Sequence, residues 1–151
     1  MYFLKSQIPQ KLYIAQERSP RAIIEVDLKS NKPTEMFLID KSGSSDYSDL
    51  HFENGYLYLL ERNNHIITKV DLKTKKEIIK YSFGHTQNIH LKDIYNTGEK
   101  YGLAEGLTMS NEYIYVGIDN NKKPLSKKAQ KLFNLKGDFS SMIIYKRPKG
   151  F

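Results

Sequence analysis

Two passages of this chain say nearly the same thing. "YIAQERSPRAIIEVDLK" (Tyr13 to Lys29) lies over "YLLERNNHIITKVDLK" (Tyr58 to Lys73), with Glu17-Arg18 on Glu61-Arg62 and Val26-Asp27-Leu28-Lys29 on Val70-Asp71-Leu72-Lys73: six identities at one spacing of 44 residues. A repeat of that period constrains the fold strongly. One such unit cannot bury its own apolar face, so several must stack before a core exists.

The second passage shows what the unit is. Tyr56, Tyr58 and Leu60 alternate with Leu57 and Leu59, all apolar, which predicts a short strand buried on both faces. After the turn "ERNN", the β-branched residues of "HIITKVDL" make the second arm of a hairpin. "EIIKYSF" follows as a further strand, and "DYSDLHFENG" precedes the hairpin with Leu50 and Phe52 alternating, so one repeat reads as four antiparallel strands. A third copy lies at a spacing of 57, with Tyr113-Ile114-Tyr115-Val116 on Tyr56-Leu57-Tyr58-Leu59, Gly106-Leu107 on Asp49-Leu50 and Asn120-Asn121 on Asn63-Asn64.

An insertion over roughly Lys122 to Ser140 interrupts the third copy. Its "PLSKKAQKLFNL" places Leu125, Ala129, Leu132 and Phe133 on one helical face, with Pro124 near the start. "SMIIYKRP" then supplies the third strand. Units of about 40 to 50 residues, each a four-stranded antiparallel sheet, are the pattern of β-propeller blades. The fold class is therefore all-β: one partial propeller domain over residues 1–151, with blades at about 1–43, 44–84 and 101–151 and a short helical insertion in the last. "YFLK" is the candidate inner strand of the first blade, and the third has no clear outermost strand.

Composition excludes several functions. The chain has no cysteine, hence no disulfide and no thiolate metal site. No run of about 18 apolar residues spans a membrane, and "MYFLKSQIPQ" lacks the apolar core of a signal peptide. The net charge of +7 comes from lysines in turn-like clusters such as "DLKTKKE" and "NNKKPLSKKAQK", with few arginines for bidentate recognition, so it reads as solvated loops and protected strand edges rather than a nucleic-acid surface. Neither a G-x-S-x-G elbow, an H-E-x-x-H pair nor a Walker loop is present.

"KLYIAQERSPRAIIEVDL", "YSDLHFENGYLYLLERNNHIITKVDL" and "YGLAEGLTMSNEYIYVGIDNN" resemble the SdiA-regulated and phytase-like esterase-domain β-propellers. "AEGLTM" followed by "YIYVGIDNN" is the sharpest element, and similar Glu-Gly openings occur in gluconolactonase-like and strictosidine-synthase-like propellers, where the glutamate helps hold a divalent ion. The resemblance implies a ring of five or six blades, so three blades read as a C-terminal half. Its open ends need either a missing N-terminal half or a second copy that completes the ring as a homodimer. It also implies periplasmic or envelope-associated full-length relatives.

The resemblance places Glu105 at the channel mouth, with Asp119 and Asn120 ending the neighbouring strand, a hard-donor set suited to Ca2+. The plainer alternative has Glu105 capping backbone N–H groups and Asp119-Asn120 forming a turn. Ser48 occupies the Glu105 position in the second blade, flanked by Asp46 and Asp49. Glu17-Arg18 and Glu61-Arg62 suit contacts between blades, or a polar rim in which Arg18 and Arg62 face an anionic ligand. His51, His65, His85 and His90 have no ligand spacing. These residues point to a ligand-binding or interaction scaffold. A metal-dependent phosphoesterase or lactonase, and a truncated remnant of a longer propeller, are the alternatives.

Overall fold

The computed structural model describes residues 10–39, 46–84, 91–95, 103–120, 122–137 and 139–151. Three antiparallel sheets follow one another along the chain. The first holds β1 (Lys11–Ala15), β2 (Ala22–Asp27) and β3 (Lys32–Leu38). The second, four-stranded, holds β4 (Tyr47–Glu53), β5 (Tyr56–Glu61), β6 (Ile66–Asp71) and β7 (Lys76–Ser82). The third holds β8 (Ala104–Met109), β9 (Tyr113–Ile118) and β10 (Ser141–Lys146). This is an incomplete propeller-type arrangement; "YFLK", the candidate inner strand of the first sheet, lies outside the described residues.

The repeated "VDLK" has a local cause. Asp27 Oδ1 accepts from Ser30 N at 2.7 Å, and Asp71 Oδ1 accepts from Lys73 N at 2.7 Å and Thr74 N at 3.2 Å, so each aspartate turns its chain into the next strand. Asn31 and Lys75, at φ 55° and 57°, complete the two turns. Asn54-Gly55, at φ 51° and 83°, is a two-residue loop with both residues in the left-handed region, matching the twist of the β4–β5 hairpin.

Each sheet buries one row of side chains against the next. Tyr13, Ala15, Ile23 and Phe37 of the first sheet meet Tyr47, Leu57, Leu59 and Val70 of the second. The other face of the second sheet, through Tyr58, Leu60 and Ile67, meets Leu107, Met109, Ile114, Val116 and Ile118 of the third. β5 is thus buried on both faces, as its all-apolar alternation requires. The sheets approach one another mainly through β4 and β8, while β3 and β7 lie almost wholly exposed, so the sheets splay from a shared inner line.

The insertion forms α1 (Lys127–Phe133), capped by Ser126, whose Oγ accepts from Ala129 N at 3.0 Å. Leu125 and Ala129 pack with Leu91, Ile94 and Tyr95, and Ser126 N donates to Ile94 O at 2.7 Å. Leu132 and Phe133 differ from the expected buried face: they are 42% and 39% exposed. The helix is pinned at its first turn and ends after seven residues at Asn134, and Phe133 lines a groove against β10 instead of entering the core. After β10, Arg147 donates to Glu53 Oε2 at 2.5 Å, the Tyr58 hydroxyl at 2.9 Å and Ser110 O at 2.9 Å. Phe151 buries its ring against Tyr58 and Tyr81. Among the described residues no helix is long and apolar enough to cross a membrane.

Candidate functional site

The inner strands β4 and β8 are irregular at the same place. Tyr47 opposes Glu61 and Asp49 opposes Leu60, which leaves Ser48 as an extra residue; Ala104 opposes Ile118 and Gly106 opposes Gly117, which leaves Glu105. Ser48 and Glu105 are therefore equivalent bulge residues, and a bulge re-aims the side chain it carries. The Ser48 hydroxyl donates to Ala104 O of the third sheet at 2.7 Å. Beside it, Asp49 accepts from its own neighbour Leu50 N at 2.8 Å and from Leu107 N at 2.6 Å, stitching β4 to β8.

Glu105 turns back toward Arg62, which follows β5. Arg62 Nη1 donates to Glu105 at 3.0 Å, and Nη2 meets Asp46 at 2.9 Å and Glu17 at 2.7 Å. One guanidinium thereby joins the turn after β1, the entrance to β4 and the bulge of β8. Burial pulls Arg62 toward neutrality, but the hydrogen bonds to Asp46 and Glu105 outweigh it and raise its pKa above the ordinary value.

Strand register corrects the overlay of Glu17-Arg18 on Glu61-Arg62. Lys11 to Ala15 oppose β2 as Tyr56 to Leu60 oppose β6, and Gln16 N donates to Ala22 O at 2.8 Å where Glu61 stands opposite Ile66. Gln16 is thus the counterpart of Glu61, and Glu17 of Arg62. The first turn is one residue longer, so an overlay anchored on β2 runs out of phase before it reaches β1. Arg18 lies exposed in that turn. Glu61 is buried and accepts from Thr68 Oγ1 at 2.6 Å and Asn64 Nδ2 at 3.3 Å.

Asp119 and Asn120 follow β9. Asn120 Oδ1 accepts from Lys122 N at 3.0 Å and closes a turn, while Asp119 shares an open hollow of about 460 Å³ with Glu105, Gly106, Gly117, Ser140 and Ser141. Gly106 and Gly117 face each other across the strands and leave its floor bare. His51 is tilted against Tyr58, and its pKa is lowered chiefly by burial. His65 is buried edge-on to Phe83; His85 and His90 lie outside the described residues.

Among the described residues no group of three or more His, Asp or Glu side chains is placed to hold a metal ion. Glu105 faces the Arg62 guanidinium, and the Asn120 side-chain oxygen accepts a backbone N–H within a turn. Sequence reasoning missed Arg147, whose one signal was rarity: the chain has four arginines among 24 basic residues, and Arg62 and Arg147 both make multiple charge-assisted bonds between sheets.

A family model described as SdiA-regulated matches residues 5–121. No curated protein matches the chain. Among solved structures, a europium-containing methanol dehydrogenase is similar at 13% identity and a TM-score of 0.45, over 78% of this chain and 21% of that one. The chain thus spans about a fifth of that enzyme's length, and the likeness bears on neither activity nor ligand.

Proposed function

Because the chain belongs to the SdiA-regulated family, and because its inner-end acids are engaged between sheets, we propose that it works as a binding or interaction scaffold rather than as a hydrolase. Arg62 carries this reading. A metal-dependent phosphoesterase or lactonase needs carboxylates free to hold an ion that polarises the phosphoryl or ester oxygen. Here Glu105 and Asp46 hold Arg62 instead, and Asp49 holds a backbone N–H of the neighbouring sheet.

The hollow beside Glu105 is where the scaffold would take a ligand. Its glycine floor lets a flat group lie against the sheet, and Asp119, Ser140 and Ser141 supply acceptors and hydroxyls at the wall. Calcium titration by calorimetry into wild type and Glu105→Gln, with p-nitrophenyl phosphate and p-nitrophenyl acetate assayed in parallel, tests the reading. Expected are no Glu105-dependent heat and no turnover. Micromolar calcium binding that disappears in Glu105→Gln, together with turnover, restores the hydrolase with Glu105, Asp119 and Asn120 as its ligands.

A further inference from the structure

The two end sheets each present an apolar face that nothing among the described residues covers. On the first sheet, Tyr13, Ala15 and Phe37 point inward, so the alternate row points out: Leu12, Ile14, Met36 and Leu38 are 47%, 44%, 66% and 48% exposed. Cross-strand pairing puts them on one surface, with Ile14 opposite Ile24 and Ile24 opposite Met36. On the third sheet, Ile143 and Tyr145 point inward, and Met142 and Ile144 stand out at 62% and 53% exposure beside Gly117 and Tyr115. A groove lined by Phe133 and Leu135 of the insertion continues this surface.

These faces are not alike, and their difference identifies what covers them. Register fixes a forward and a backward side for every sheet. Tyr13 opposite Glu25, Tyr58 opposite Lys69 and Tyr115 opposite Ile144 mark the forward side, which in the first two sheets packs on the sheet that follows. The backward sides of the second and third sheets receive those contacts through Leu57 and Leu59, and through Ile114 and Val116. The forward side of the third sheet and the backward side of the first are the two left over. They are the two halves of a contact that the chain already makes twice.

We propose that a second copy of this chain supplies both missing contacts: the forward face of the third sheet in each copy docks on the backward face of the first sheet in the other. Head-to-tail contacts generate a ring when the rotation closes. Two copies bring three sheets each, and the resulting six lie within the four to eight blades from which such rings are built; three copies would bring nine. Gly117, in the floor of the hollow, lies beside Met142 on this same forward face, so the docked copy borders the hollow.

Ile14→Glu and Ile144→Glu each place a charge on one face, at side chains already half exposed, so the single chain keeps its fold, and circular dichroism checks that it does. Light scattering after gel filtration is expected to give twice the chain mass for wild type and the chain mass for either variant. An equimolar mixture of the two variants is expected to recover dimer, since one of its two seams joins an unaltered forward face to an unaltered backward face. A monomeric wild type overturns the proposal and assigns the faces to other sheets. Species larger than a dimer overturn the closure. A dimer broken by one variant but not the other, or a mixture that stays monomeric, overturns the head-to-tail arrangement.

Discussion

Removing Arg62 leaves Glu17, Asp46 and Glu105 around one point without their shared cation, at the place where three sheets meet. Stranding fully buried charges costs about 3 to 5 kcal/mol; these carboxylates are partly exposed, so Arg62→Met is expected to cost about 2 kcal/mol in urea denaturation. Arg18→Ala, at the position the sequence overlay equates with Arg62, is expected to change stability by less than about 0.5 kcal/mol. Equal effects of the two would restore the overlay and refute the register. The acids were legible as residues of interest, yet their common partner was not, because Arg62 and Glu105 are 43 positions apart and no local pattern joins them. A second residue-scale prediction concerns Glu53. Its hydrogen bond from Arg147 is the main reason its pKa lies below the ordinary glutamate value, so the folded chain takes up that proton less readily than the unfolded one. The stabilisation is complete above the unfolded pKa and is lost as pH falls through the lower folded value. Between about pH 5 and pH 3, the urea midpoint of Glu53→Gln is therefore expected to fall less steeply than that of wild type.

Single elements were most legible where their causes are local. The alternation in β5, the aspartate turns at Asp27 and Asp71 and the Asn54-Gly55 loop each involve residues a few positions apart, and the same rules that predict them hold them in place. Lysines also fall where edge strands need charge, with Lys32 on β3 and Lys76 and Lys80 on β7. The segment after β10 is the opposite case. "KRPKGF" carries no periodicity, yet Arg147 joins Glu53 and Tyr58 while Phe151 fills the space between Tyr58 and Tyr81. This short segment clasps the third sheet to the second. Phe151→Ala is expected to cost about 3 kcal/mol, in the range for deleting a buried aromatic ring, and Ser126→Ala, which removes the cap of α1, about 1 kcal/mol. Parallel urea melts check both; a Phe151→Ala effect no larger than that of Ser126→Ala would mean that the ring only covers a surface.

At the scale of the molecule, the repeat announces that sheets stack but not where the stack stops. Met142 and Ile144 are as apolar as Leu60 and Ile67, and nothing in the letters distinguishes a face that meets a neighbour within the chain from one left bare. Stability should follow the stack. The second sheet has neighbours on both sides and the end sheets on one, and in a linear array of units each contributes its own stability plus that of its interfaces. Amides of β5 and β6 are therefore expected to exchange hydrogen only through global unfolding, and those paired between β1 and β2, and between β9 and β10, through easier partial openings. Covering the bare faces with a second copy changes the ends and leaves the centre alone. Dilution through the dimer dissociation range should accordingly speed exchange in the first and third sheets and lower the melting temperature, because association stabilises the folded state by mass action. Exchange that is equally slow in all three sheets, and unaffected by dilution, would show one cooperative unit whose ends need no partner.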